Sequence, residues 1–351
     1  DLVSYDTSSS KTVSVAEQKL TGAIVSVSTD KVPKVYFLEG YSDFSLSQNM
    51  TYLKMLLANE INEIDTLNIL ATGKVPDDCD TLVITTPSKD FDDVATTAIT
   101  DYINSGKNIL WLNAAQTASK ELTNVNKILA LYGVNPFETG IIRETDSSKM
   151  MSNSPDIIVP KVQYSDSTKS ICNTTGPIFI NATKINIADS DKLTELNVTK
   201  TELANTSTGS YFRKDFNSQQ SSATSNDETG SFVVGAELDK TIKAANDETN
   251  EQAVKSKLII YGENYFATDY QLSQNSQYSA VQLGYNKELV MDSISYLVDR
   301  EEDITARKDT GTVTYTATDK QDTIIKCIIF TVPAVIILAG IVVWQVRRRK
   351  K

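Results

Sequence analysis

The chain has 351 residues, 45 acidic against 34 basic side chains, and a net charge of −11. That balance lacks the basic footprint of a nucleic-acid binder, and no GxxxxGK[ST] phosphate loop occurs, so the chain is not itself an ATPase. No histidine is present, which removes Ser-His-Asp and Cys-His catalysis and the usual zinc sites.

Residues 1–30 read as a lead-in segment. KVYFL at 34–38 is a short apolar run typical of a buried strand. Met50, Leu53, Leu57, Ile61 and Ile64 then recur at helical spacing and predict a helix over about 46–62. Thr66 to Leu70 reads as a second strand and TLVITTP at 81–87 as a third. Phe91, Val94, Ala95, Ala98, Ile99 and Tyr102 form an amphipathic stripe stopped by Gly106. NILWL at 108–112 is another buried strand. Leu122, Val125, Ile128, Leu129 and Tyr132 predict a helix with Gly133 as its C-cap. Alternating strands and helices with short connections define an α/β fold, a mostly parallel sheet flanked by helices.

Beyond residue 140 the pattern weakens. Residues 147–256 read as an irregular β insertion, with 205–231 a mobile polar loop interrupted by YFRKDF. Phe232 to Leu238 returns to β, KLIIYG at 257–262 is a core strand, and Leu289 to Val298 carry a last helical stripe. Residues 301–323 form a polar stalk. Residues 324–346 then predict one C-terminal transmembrane helix, because the run from Cys327 to Val346 spans about 30 Å at about 1.5 Å per residue. Pro333 lies near one end, Gly340 within it, and Trp344 at an interfacial position. Arg347, Arg348 and Arg349 begin a basic tail over 347–351 that places the C-terminus in the cytoplasm and the bulk of the chain outside. Without those five cations the rest of the chain carries −16 rather than −11. An outside domain also implies an export signal or an earlier membrane segment.

In a parallel sheet, ligands sit beyond the carboxyl ends of the strands. Those ends carry Gly40, Tyr41, Ser42 and Asp43, then Thr86 and Ser88, then Asn113, which are the candidate ligand-binding residues. Tyr41 and Asp43 offer an aromatic and an acid, a common pocket combination; the same residues also suit a turn and a helix cap. Ser88 stands on a strand-to-helix turn but would need Lys89 or Asp90 as its base, and adjacent residues seldom point at each other. No catalytic residue is assigned. Asp77, Asp78 and Asp80, and separately Asp189 and Asp191, lack the glycine turn and later glutamate of a calcium loop, so no metal or cofactor is expected. Cys79 and Cys172 could pair in an oxidising compartment.

Six stretches stand in a familiar order: VYFLEGYSDF, VPDDCDTLVITTPSKDF, AITDYINSGKNILWLNAA, KLIIYGENYFATD, NKELVMDSISYLVDREEDITARK and VPAVIILAGIVVWQVRRRKK. Together they resemble the GldG-like family of ABC-type transport auxiliary proteins. The resemblance implies an extracytoplasmic domain of glutamine-amidotransferase-like or flavodoxin-like α/β fold, tethered in a bacterial plasma membrane. It further implies an ABC-2 type export complex. Its partners would be a cytoplasmic ATPase and an ABC permease, with membrane lipid around the anchor and room for a homodimer. Gly40-Tyr41-Ser42-Asp43 stands where the family commonly has a Gly-His-Gly-Glu-like sequence. Two readings of function follow: a non-catalytic auxiliary component of an exporter, or a membrane-tethered module binding carbohydrate or envelope polymer.

Overall fold

The computed structural model describes residues 3–6, 11–14, 32–60, 62–115, 122–215, 218, 222–246 and 251–299. The chain divides into one unit over Asp1–Arg307 and a second over Lys308–Lys351, and every described residue belongs to the first. The predicted stalk, the predicted anchor with Cys327, Pro333, Gly340 and Trp344, and the basic run with Arg347, Arg348 and Arg349 lie outside the described residues. Among the described residues no helix is long and apolar enough to cross a membrane.

Strands β1 (Val3–Asp6) and β2 (Lys11–Ser14) pair with each other as an antiparallel hairpin. In β3 (Lys34–Leu38), side chains alternate between two cores: Val35 and Phe37 face one, Tyr36 and Leu38 the other. Two helices, α1 (Leu46–Asn49) and α2 (Thr51–Asn59), replace the single helix predicted over 46–62. The break at Met50 has its cause in Asp269. Its carboxylate accepts the N–H groups of Thr51 and Tyr52 at 2.6 and 3.1 Å, and its own N–H donates to the Asn49 carbonyl at 2.7 Å. Ile64 is no part of a helical stripe; it lies in β4 (Glu63–Leu67), earlier than the 66–70 predicted. Ile69–Thr72 is a helical turn, α3, closed by Gly73 at φ +72°.

Next come β5 (Thr81–Thr85), α4 (Asp93–Asn104), β6 (Asn108–Leu112) and α5 (Thr123–Ala130), close to expectation. Gly106 and Gly133 stop the two helices at φ +80° and +75°, a conformation that side chains with a Cβ rarely adopt. Val94 departs from its predicted inward place and is 46% exposed; Ile103 is buried in the core instead.

After residue 140 come four short strands, β7 (Ile141–Arg143), β8 (Ile157–Ile158), β9 (Lys161–Val162) and β10 (Phe179–Ile180). Helix α6 (Ser190–Glu195) and strands β11 (Val198–Asn205), β12 (Tyr211–Arg213) and β13 (Glu228–Thr229) follow. The last elements are β14 (Val233–Lys243), β15 (Val254–Tyr261) and α7 (Asn286–Leu297).

The central sheet has eight strands in the order β4-β3-β5-β6-β15-β14-β11-β9. The first five run parallel and the last three join antiparallel, so the sheet is mixed rather than mostly parallel. The reason is a long hairpin. β15 lies beside β6, and its hairpin partner β14 must run the other way. Residues 239–243 and 254–256, polar enough to pass for a loop, form the far ends of the two hairpin strands. The insertion therefore supplies three strands of the main sheet. Residues 211–213, expected in a mobile loop, are buried and form the middle strand of a second sheet, β13-β12-β7.

Two apolar cores cover the two faces of the main sheet. One gathers Leu53 and Leu57 of α2 with Leu289 and Ile294 of α7; the other gathers Ala95 and Ile99 of α4 with Val125 and Ile128 of α5. Cys79 belongs to the second core and Cys172 packs against the first. The sheet separates them, and both thiols are free.

Candidate functional site

The carboxyl ends of β3, β5, β6 and β15 open on one edge of the sheet. The order reverses between β3 and β5, since β4 lies on one side of β3 and β5 on the other. A crevice at that switch point is where an α/β sheet holds its ligand. The structure brings the candidate loops 40–43 and 86–88 together there, and they close on each other. Ser42 and Pro87 form a bridge. The Ser88 N–H donates to the Tyr41 carbonyl at 2.7 Å and its hydroxyl donates to Asp43 at 2.8 Å. Tyr41 is 4% exposed and its ring stands edge-on to Phe91 at 5.0 Å. Its hydroxyl donates to Asp92 at 2.5 Å, and the Lys89 ammonium lies 5.4 Å over its ring.

Burial, then the Asp92 hydrogen bond, pushes the Tyr41 phenol well above its ordinary range. The same hydrogen bond, helped by the Ala95 N–H, holds the Asp92 carboxyl low. The Thr86 hydroxyl donates to the Leu112 carbonyl at 3.2 Å. Asn113 is buried, its N–H given to Tyr261 at 2.9 Å and its side-chain amide to Ala114 at 3.0 Å. Gly40, at φ +92°, turns the chain out of β3.

The helices leaving this edge are closed in a related way. A helix N-terminus presents free N–H groups and a partial positive charge, and phosphates bind there. In this chain an aspartate stands at three of them, α2, α4 and α5. Asp269 takes the first N–H groups of α2. Asp92 takes that of Ala95 in α4 at 2.9 Å. Asp90 takes those of Asn124 and Val125 in α5 at 2.9 and 3.0 Å. The N-cap of α4 is thus Asp92. Glu263, just past β15, accepts the N–H groups of Tyr265 and Phe266 at 2.8 Å each. It is fully buried, and that burial raises its carboxyl to about 8 against the pull of those amides.

Sequence patterning missed a different place. A cleft of about 600 Å³ opens between residues 135–138, 184–187 and 228–233. Gly262 lets these segments meet: Thr183 donates its N–H to the Gly262 carbonyl at 2.7 Å, and a Cβ on Gly262 would stand 2.0 Å from the Thr183 carbonyl oxygen. The next residue, Lys184, forms the floor, its side chain 8% exposed. It reaches Glu138 on one wall at 2.8 Å and Glu228 on the other at 2.5 Å, 4.7 Å over the Phe212 ring. Burial alone would lower the Lys184 ammonium; the hydrogen bonds to Glu138 and Glu228 outweigh it and raise it. Glu138 is held low, first by Lys184, and also accepts from Asn186 at 3.0 Å. No sequence signal pointed there: in NATKINIA, Lys184 alternates with Ile185 and Ile187, in phase with Asn186, and reads as outward-facing. Among the described residues no group of three or more Cys, Asp and Glu is placed to hold a metal ion.

Fold and edge together define a helix-flanked, mixed-sheet α/β domain whose switch-point crevice is occupied by its own side chains. The solved N-terminal domain of mmIFT52 shares this fold, with TM-score 0.50 and 12% identity over 75% of this chain and 97% of that one. A ThuA-like protein from Bacteroides uniformis aligns at TM-score 0.41 and 11% identity, covering 77% of this chain and 93% of its own. A GMP synthase component from Thermoplasma acidophilum aligns at 0.37 and 12%, covering 78% and 98%. No curated protein matches the chain. The family described as "ABC-type uncharacterized transport system" matches residues 32–293, and the chain belongs to that family of ABC-type transport auxiliary proteins. That match spans the first four of the six stretches and the start of the fifth, which agrees with the GldG-like resemblance; the anchor stretch lies beyond it.

Proposed function

We propose that the chain is a non-catalytic auxiliary subunit of an ABC-2 type exporter in a bacterial plasma membrane. Residues 324–346 anchor it beside the permease, and 347–351 face the cytoplasm. The outer domain stands above the permease, where it meets cargo, envelope or a second copy of itself. ATP acts through a partner ATPase.

The observation that carries this reading is the filled carboxyl edge. Three helix N-termini that could receive a phosphate or a developing anion hold Asp269, Asp92 and Asp90 instead. The crevice beside them is closed by Tyr41 and Ser88. The place where such a sheet would hold a ligand is a brace, which suits a protein whose work is contact rather than chemistry. The test is purification of the tagged chain from native membranes in mild detergent, with mass spectrometry of what accompanies it. A polytopic permease and a Walker-type ATPase at comparable recovery are expected. Recovery of the chain with neither would overturn the proposal.

A further inference from the structure

We infer that the Lys184 cleft is a binding site for a neutral, hydroxyl-rich ligand: a saccharide. This deepens the contact role proposed above by naming what the outer domain touches, and it rests on that role only for its location.

The cleft's chemistry narrows the ligand by elimination. Its volume, about 600 Å³, is within the range of small-molecule sites. Its floor and walls are charged and amide-bearing, which does not suit an acyl chain or an apolar side chain. The cations at and around it are already matched: Lys184 with Glu138 and Glu228, Lys214 with Glu138 at 3.3 Å, and Lys200 with Glu202 at 2.9 Å. An anionic ligand would have to displace a glutamate from Lys184, and a cationic one would have to displace Lys184 itself. A neutral ligand displaces neither.

Hydroxyl groups fit what is left. Each carboxylate oxygen has more than one lone pair, so Glu138 and Glu228 keep acceptor capacity beyond their lysine bonds. Asn135 is exposed on the rim and offers an amide donor and acceptor; Lys200 on the same rim has three donors and one glutamate partner. Acceptors on the walls thus stand beside donors on the rim. A vicinal diol has this pattern, since one hydroxyl gives its hydrogen to a carboxylate while its neighbour accepts from an amide or ammonium. The Lys184 bridge also sets both glutamates in place before any ligand arrives, which reduces the ordering cost of binding. Phe232, the aromatic in the lining, is buried at 6% exposure and gives no broad stacking face. Hydrogen bonding alone then makes a weak site, suited to a repeating polymer bound through many copies.

The experiment uses the full chain in lipid nanodiscs and saturation-transfer NMR with three probes: chitotetraose, maltotetraose and an anionic tetragalacturonate. At least one neutral probe is expected to bind, with an affinity unchanged between low and high salt. Asn135→Ala and Lys200→Ala change exposed rim residues, so the fold stands in both. Each is expected to weaken binding about threefold to tenfold, the equivalent of one lost hydrogen bond. No binding of either neutral probe, preference for the anionic one, or equal affinity in both variants would overturn the saccharide site. None of these results touches the permease association, which the membrane purification tests separately.

Discussion

Asp92 connects two elements of the closed edge, and its loss is expected to be felt by both. Its carboxylate accepts the Ala95 N–H, capping α4, and the Tyr41 hydroxyl. In Asp92→Ala the cap goes, which costs about 1 kcal/mol. The buried Tyr41 hydroxyl also loses its acceptor, which costs about 1–3 kcal/mol more. The sum is about 2–4 kcal/mol. Tyr41→Phe removes only the hydroxyl and leaves a half-buried Asp92 that water can reach, at about 1 kcal/mol. In the double variant no orphaned hydroxyl exists, so the combined loss is smaller than the sum of the singles by about 1–2 kcal/mol. Urea unfolding followed by tryptophan fluorescence reads this directly, because Trp111 lies 6.2 Å from Phe91 beneath the Tyr41 ring. With a slope of about 3 kcal/mol per molar, Asp92→Ala moves the midpoint by about 1 M. Strict additivity of the two variants, or a midpoint unmoved by Asp92→Ala, would refute the coupled brace.

Two further outcomes follow from buried groups. Glu263 has its carboxyl raised to about 8 by burial, above an ordinary value of 4.5. Its protonated form favours the folded state, so that stability is fully present below about 4.5 and is lost as pH rises through about 8. Urea midpoints taken across that window should fall with pH in the native chain and stay flatter in Glu263→Gln; equal slopes would show that Glu263 is not the group responsible. Cys79 is fully buried, and burial pushes its thiol up to about 12. Iodoacetamide on the native protein at pH 8, read by peptide mass spectrometry, should label the partly exposed Cys172 and spare Cys79 until urea is added. Prompt labelling of Cys79 would contradict its place in the core.

The parallel half of the sheet was legible because its strands are buried on both faces and read as unbroken apolar runs, as in TLVIT and NILWL. The helices between them showed their period because each buries only one face against the sheet. The antiparallel half was not, because β14 and β15 are buried over only part of their length. Thr241 and Lys255 pair across that hairpin beyond the core, where polar residues are at home. Tyr211 to Arg213 were hidden by neighbours: three buried residues stand in a run of serine, asparagine and glutamine. At the carboxyl edge, chain order correctly pointed to Tyr41, Ser42, Asp43 and Ser88 as neighbours. It did not say that they would satisfy one another, because Asp92 bonds Tyr41 across 51 positions and the pairing is tertiary. The split of the first helix is similar, since its cause, Asp269, lies 218 positions from Thr51.

The place of β15 in the middle of the sheet has a consequence for how the chain acquires its structure. β6 is complete at residue 112, but its neighbour on the far side is β15, at residues 254–261. A chain emerging from its N-terminus therefore carries a bare, apolar sheet border through the whole making of the intervening segment. Such a border is slow to satisfy, because closing a long loop costs entropy before any contact repays it, and meanwhile it can pair with other chains. The β14–β15 hairpin joins the two halves of the sheet, β15 against β6 and β14 against β11. Folding is thereby held back until almost the entire domain exists, and a truncation anywhere before residue 261 leaves not a smaller domain but an unfinished one.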